Sequence, residues 1–527
     1  MLTGNINFVD SAPVTNVSLN QVAIRLHPHD QVAIAKTNLQ IGTILELGGA
    51  ASNQVRISRF IASGHKVALQ AVGAGQPVYR YGQAIGFASQ PIQPGEHVHT
   101  HNLSVQEFSR DYAFGVDLKP VTYVPAADRR TFLGYRRANG KVGTRNYIAI
   151  IASVNCSAHT SREIAHYFTP ERLAAYPNVA GVIALAHHSG CATRVGGADY
   201  VLLQRTLAGM ARHPNVGACL FIGLGCETNQ IGDLLANFGF NGDAPPNLII
   251  QELGGIRKTV QAGVEAVEQL LPLVNAAQRT PQPASELVVA LQCGGSDGWS
   301  GVTANPVLGL VADEVVRQGG AAVLAETPEV YGAEHLLTRR AITPEVGQKL
   351  VAKVRWWEGY TRQHGLEIDN NPSPGNKAGG LTTIYEKSLG AVAKGGQMPL
   401  VDVYEYAEPI TARGFSFMDS PGYDPVSVTG QVAGGCNVVL FTTGRGSVLG
   451  LKPAPSIKVA TNSTTYERMA EDMDVNAGRV LTESTLEEVA AELFELVIAI
   501  ASGQPSKSEA QGVGEAEFNP WNLGGTL

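Results

Sequence analysis

Four apolar runs in this chain stop at a cysteine, and that repetition limits the fold more than any other feature. IAIIASVNC ends at Cys156, GVIALAHHSGC at Cys191, ACLFIGLGCE carries Cys226 and LVVALQC ends at Cys293. Runs of this length, rich in β-branched residues and closed by small ones, read as buried strands. Helical patterns such as SREIAHYF and DYVLLQRTLAGMARH lie between them. Strand and helix in alternation is the signature of an α/β fold with a parallel sheet. Ligands bind outside the carboxyl ends of such strands. If the four strands share one layer, Cys156, Cys191, Cys226 and Cys293 converge as metal ligands; if they belong to two sheets, they need not meet. The bland alternative is four small, buried hydrophobes.

A chain of 527 residues, 44% hydrophobic and 16% charged, has enough apolar material for several domains. Its net charge of -7 offers no basic footprint for nucleic acid. No apolar run approaches the roughly 20 residues that span a bilayer. The opening MLTGNINFVDSAPVTN has neither a basic start nor an apolar signal core. The expectation is a cytoplasmic protein, without a membrane or nucleic-acid partner, whose cysteines stay reduced.

Residues 1–16 read as a flexible tail, and residues 17–103 as a small all-β domain. VAIRLH, QVAIA, HKVALQAV, VYRYGQAIGFA and EHVHTH are short strands separated by turn signals such as AGQP and QPGE. The last strand puts His97, His99 and His101 on one face, either as metal ligands or as the polar side of an edge strand. His27 and His65 are either general bases or ordinary surface histidines. Residues 104–133 lack periodicity and read as a long extended linker. A middle α/β domain covers 134–278. RTPQPASE marks a boundary, and a C-terminal parallel-sheet domain covers 284–527. TLEEVAAELFELVIAIASG is its last helix, and the residues after Ser502 read as frayed.

Polar groups gather where strands end. GYRRANGKVGTRNY carries Arg136, Arg137, Lys141 and Arg145, a cluster that suits a carboxylate ligand or is simply solvated. CGGSDGWSGVTANP offers Ser296, Asp297, Ser300 and Asn305; NPSPGNKAGG offers Asn371, Asn376 and Lys377; FTTGRG offers Thr442, Thr443 and Arg445. Such glycine-rich loops form anion-binding nests. Neither GxGxxG after the first strand nor GxxxxGK[ST] occurs, which disfavours a nucleotide cofactor.

Together, GYRRANGKVGTRN, GLGCETNQ, QCGGSDGWSGVTANP, NPSPGNKAGG and FTTGRG resemble the altronate and galactarate dehydratase family, in order from about residue 21 to the end. GEHVHTHN and ETPEVYGAEHLL look most like its altronate branch, whereas Ser189 in HHSGC stands where both branches carry tyrosine. The resemblance implies an N-terminal SAF-type β-clip domain, a middle domain, a C-terminal variant Rossmann sheet, an iron-dependent hydro-lyase activity and a homodimer. The implied reaction on a sugar-acid substrate converts D-altronate to 2-keto-3-deoxy-D-gluconate. The C2 proton is removed and the C3 hydroxyl expelled; galactarate or another hexarate or aldonate is the alternative substrate. That chemistry needs a cation to stabilise an enediolate and an acid-base pair.

On this reading iron, as Fe(II) or as an iron–sulfur cluster, is held by Cys156, Cys191, Cys226 and Cys293. His27, His65, His187 and Asp297 serve catalysis, and Arg136, Arg145, Ser296, Asn305, Asn376, Lys377 and Arg445 bind substrate. Asp297, Glu227, Glu326 and Glu329 are further oxygen donors. Rival readings are a sugar-acid-binding protein that has lost catalysis and a lyase that expels sulfite.

Overall fold

The computed structural model describes residues 15–48, 53–106, 110–240 and 244–523. The chain divides into two compact units. One comprises the described part of Met1–Ser109 together with Asp369–Leu389, and the other comprises Arg110–Ile368 and Gly390–Leu527.

The first unit is built of short strands, as its frequent turn signals require. Asn16–Ser18, Ile44–Glu46 and Gln54–Arg56 form one sheet. Ala23–Ile24, Val32–Ala35, Lys66–Ala68 and His97–Val98 form a second, and Leu103–Ser104, Gln83–Ala88 and Pro77–Arg80 a third. Leu39, Leu45, Val55, Ile57, Ile61 and Val67 fill its core. Most of the expected N-terminal tail, residues 1–14, lies outside the described residues, whereas Asn16–Ser18 pairs with Ile44–Glu46.

The sequence did not announce the segment Asp369–Leu389 in this unit, because it is separated from the β strands by more than 250 residues. Buried ion pairs hold it there. Lys66 Nζ donates to Gly380 O at 2.6 Å and to Glu386 Oε2 at 2.9 Å, and Arg80 pairs with Glu386 Oε1. Thr382 closes the set by donating its N–H and hydroxyl to Glu386.

The second unit contains two parallel sheets. In the four-stranded sheet the order is Gly181–Leu185, Tyr147–Ala152, Val216–Gly223, Asn247–Ile249. In the seven-stranded sheet it is Leu400–Tyr404, Gly414–Met418, Ala321–Ala325, Val288–Cys293, Val438–Thr443, Ser456–Ala460, Val475–Asn476. Every pairing is parallel. The central strands are buried along nearly their whole length, which is why they read as unbroken apolar runs rather than as alternating ones. One apolar core joins residues of both sheets, among them Tyr147, Ile151, Phe221, Ala290, Val323 and Phe441. From Val288–Cys293 the chain first builds to one side, through Ala321–Ala325, and later returns on the other, through Val438–Thr443. That reversal is a topological switch point, and Cys293 ends the strand at its centre.

The stretch expected as an extended linker is ordered against this unit. Arg110 Nη1 donates to Glu334 Oε1 at 2.6 Å, and the N–H groups of Gly115, Asp117 and Val124 donate to backbone carbonyls of the body. Within RTPQPASE, Thr280–Pro283 forms a strand against Thr131–Arg136. The last long helix spans Leu486–Ala501, opened by a capping box of Thr485 and Glu488. Beyond it the described residues, as far as Leu523, are packed rather than frayed. Helix Lys507–Ala510 has its own capping box, and Trp521 stacks on Trp357 with ring centres 5.4 Å apart.

Candidate active site

Cys293 is the final residue of its strand, and the backbone turns away at once. Gly294 donates to Thr442 O at 3.1 Å, and Gly295 adopts the left-handed φ of 60° that a side chain disfavours. A Cβ on Gly294 would strike the Asp424 carboxylate. On the neighbouring strand, Glu326 follows Ala325 with φ 74° and ψ 75°, an uncommon conformation for a residue with a side chain. Its N–H donates to Ser420 Oγ at 3.1 Å, and the turn Thr327–Glu329 follows. Backbone strain of this kind persists where the surroundings over-determine it, and it collects at functional sites.

These two strand ends bring one sulfur and two carboxylates together. Ligand atoms of Cys293, Glu326 and Glu329 lie within 4.8 Å of one another, all buried. Lys394 supplies a fourth group, its Nζ 3.0 Å from Cys293 Sγ. It stands in the turn Ala393–Gly395, which approaches helix Ala304–Arg317 at Gly309, where a Cβ would collide with Ala393 O. Burial alone would lower the Lys394 pKa, but Cys293, Glu326 and Glu329 outweigh it and raise it. Two carboxylates outnumber the one ammonium even before the thiol ionises. A mixed sulfur and oxygen donor set with that excess fits a divalent transition ion.

The other residues read from the sequence fall into distinct places. Asp297 is buried near the same strand end, but protein donors take up its carboxylate. Trp299 N, Ser300 Oγ and Thr461 Oγ1 donate to Oδ1, while Thr461 Oγ1 and Asn462 Nδ2 donate to Oδ2. Burial raises its pKa against those bonds. A Cβ on Gly444 would run into it, so Asp297 clamps the CGGSDG loop onto FTTGRG. Asn305 is similarly engaged, donating to Gly390 O at 2.8 Å and accepting from Thr442 Oγ1 at 2.6 Å. Ser296 is buried in this loop, and Arg445 is exposed at the rim, its N–H on Gly295 O.

The four cysteines do not form one set, because the structure divides them between two sheets. Cys156, Cys191 and Cys226 are exposed at the carboxyl ends of the four-stranded sheet, whereas Cys293 belongs to the seven-stranded one. The loops of the first three are laced together, Asn155 N to Ser189 O and Asn229 N to Gly190 O, both at 2.9 Å. Their sulfurs nevertheless form no close three-ligand group among the described residues. His187, beside these loops, is fully buried. Its Nε2 pairs with Ala152 O at 2.9 Å, its Nδ1 accepts from Ser189 N, and burial lowers its pKa to about 4. Both nitrogens are thus committed to backbone.

Arg145 precedes strand Tyr147–Ala152 and Arg136 faces Glu286, ahead of Val288–Cys293, so both lie towards the amino-terminal ends of the strands, whereas Cys293 ends its own. Arg145 is spent on Glu509 and on the carbonyls of Thr144, Ile500 and Gln504, a buried structural pair. Arg136 is more exposed and donates to Gln282.

Four of the remaining residues belong to the first unit. His27 Nδ1 accepts from His29 N at 3.2 Å. His65 Nδ1 lies 3.0 Å from His97 Nε2, and its Nε2 faces Ala378 O at 3.3 Å. Asn376 caps helix Pro374–Ala378 in a box with Ser373, and Lys377 offers its carbonyl to His99 Nε2 at 2.9 Å. Burial, aided by neighbouring charges, lowers His97 to about 3; burial likewise lowers His99 to about 4.

Lys394 was missed in the sequence, where AVAKGG carries no periodic or motif signal. Glu326 and Glu329 stood among several oxygen candidates, and only folding singled them out.

Family models match three consecutive stretches of the chain. Residues 21–106 match the altronate/galactarate dehydratase SAF domain, residues 134–275 the second domain of D-galactarate dehydratase/altronate hydrolase, and residues 284–526 the C-terminal domain of D-galactarate/altronate dehydratase. Altronate dehydratase of Bacillus subtilis (strain 168) is 36% identical over 91% of this chain and 95% of its own length. Altronate dehydratase of Escherichia coli (strain K12) is 37% identical over 92% and 96%. Galactarate dehydratase (L-threo-forming) of Escherichia coli (strain K12) is 37% identical over 94% and 96%.

Proposed function

The chain belongs to the altronate/galactarate dehydratase family, and from that premise we propose that it dehydrates D-altronate to 2-keto-3-deoxy-D-gluconate at the Cys293 cluster. That it is a sugar-acid dehydratase follows from the relatives; the choice of altronate is the finer step. Identity does not separate the two substrates, because the galactarate enzyme is as similar as the altronate ones. The histidine-bearing GEHVHTHN and the ETPEVYGAEHLL stretch favour altronate.

The observation that carries the reading is the buried group of Cys293, Glu326, Glu329 and Lys394 at the switch point of the sheet. Cys293 and the two glutamates are the residues that would hold ferrous iron, as the mixed donors and the anionic excess suit it. When bound, the ion supplies Lewis-acid stabilisation for the charge that develops as the C2 proton leaves. Lys394 carries an ammonium at the same place, and we assign it the proton that the departing C3 hydroxyl needs. Each glutamate offers one oxygen to the ion, and the second carboxylate oxygen of Glu326 or Glu329 would take the C2 proton. His27 and His65 belong to the first unit and are not drawn into this assignment.

Anaerobically reconstituted protein is expected to release 2-keto acid from D-altronate faster than from galactarate, with activity lost on chelation and restored by ferrous iron. The reverse preference would transfer the assignment to galactarate. Family membership also suggests a cytoplasmic homodimer, which light scattering would test.

A further inference from the structure

We propose that His65, His97 and His99 form a further divalent-metal site, within the N-terminal unit. The three ring centres make a nearly equilateral triangle: 5.1 Å between His65 and His97, 5.2 Å between His65 and His99, and 5.2 Å between His97 and His99. Three imidazoles on one tetrahedral ion, each nitrogen about 2.0–2.1 Å from it, place their ring centres roughly 5 Å apart. The spacing is therefore the one that a shared ion requires.

The outer contacts point the same way. His65 Nε2 faces Ala378 O and His99 Nε2 faces Lys377 O, so a backbone carbonyl takes one N–H of each ring. For His65 that bond, with the proton on Nε2, leaves Nδ1 as a lone-pair donor, the arrangement that orients metal-bound histidines. His65 Nδ1 and His97 Nε2 already stand 3.0 Å apart. His99 Nδ1 instead faces Thr100 Oγ1 at 3.1 Å. No three histidine nitrogens converge within 4.8 Å among the described residues, so ion binding has to turn the His99 ring away from Thr100. The exposed His101, its ring 5.6 Å from that of His97, is a further imidazole beside the three. Imidazole donors select a borderline transition ion over magnesium or calcium.

Cobalt(II) separates this site from the sulfur-bearing one. Metal-free Cys293→Ser protein, titrated with cobalt(II), is expected to develop tetrahedral d–d absorption without a thiolate charge-transfer band, and to gain thermal stability. His97→Ala/His99→Ala added to Cys293→Ser should weaken that binding about 100-fold or more, and His99→Gln in the same background should weaken it less. Circular dichroism establishes that each variant is folded. Absence of cobalt binding to folded Cys293→Ser, or equal binding with and without the histidines, would overturn the proposal. Neither result bears on dehydratase activity at Cys293.

Discussion

Two buried charge clusters in this molecule look alike in composition and differ in what they are for. In the N-terminal unit, Lys66 and Arg80 surround Glu386, and all three side chains are at most 1% exposed. Both carboxylate oxygens accept bonds, and Lys66 adds one to Gly380 O. Burial alone would raise Glu386, yet the two cations hold its carboxyl down to about 2. In the other unit the balance is reversed, with one ammonium facing Cys293, Glu326 and Glu329. A cluster saturated from within ties distant segments together. A cluster with more carboxylates than cations can take up a cation from outside.

The sharpest way to break that contrast is to remove donors from the second cluster. Cys293→Ser and Glu329→Gln are expected to lower kcat by about 1,000-fold or more, since each removes part of a Lewis-acid site worth several kcal/mol. Iron content measured alongside tells lost metal from lost chemistry. Glu386→Gln should act on stability instead, costing about 3–5 kcal/mol by stranding two buried cations. Urea unfolding of the full chain reads that cost, and adding Lys66→Met should return part of it. If Glu386→Gln were neutral, the first cluster would not be the tie described.

A smaller effect, about 100-fold in kcat, is expected for Lys394→Gln, with KM little changed, as befits loss of a proton donor. Cys156→Ala, Cys191→Ala and Cys226→Ala should each change kcat by less than about threefold if the exposed cysteines hold no essential ion. Loss of iron from any of them would move the metal to the four-stranded sheet. A further effect is in pH. His97 and His99 resist protonation when folded, so below pH 6.5 the unfolded chain takes up protons that they refuse. Stability should therefore decline as pH falls from about 6.5 towards 4, and His97→Asn/His99→Asn should flatten that decline in thermal melts.

Much of this was legible before folding. The apolar runs ending at Cys156 and Cys293 contain buried parallel strands, and Thr485 with Glu488 opens the last long helix where its pattern begins. Other residues misled for definable reasons. Arg145 looked like a ligand for a carboxylate and is one, but the carboxylate is Glu509 of the same chain. Asp297 sits at a strand end and is consumed by the loops it fastens. The residues after Ser502 are polar in sequence, yet Phe518 and Trp521 are buried.

By itself the sequence determined that strands and helices alternate, where strands end and which family signatures those ends carry, because periodicity and turn chemistry are local properties. Only the tertiary structure decided that the cysteines divide between two sheets, that Asp369–Leu389 joins the N-terminal strands, and that Lys394 meets Cys293. Those outcomes depend on which burials and charge pairings coexist in three dimensions. A lysine about a hundred residues along the chain carries no local mark of the thiol it will face.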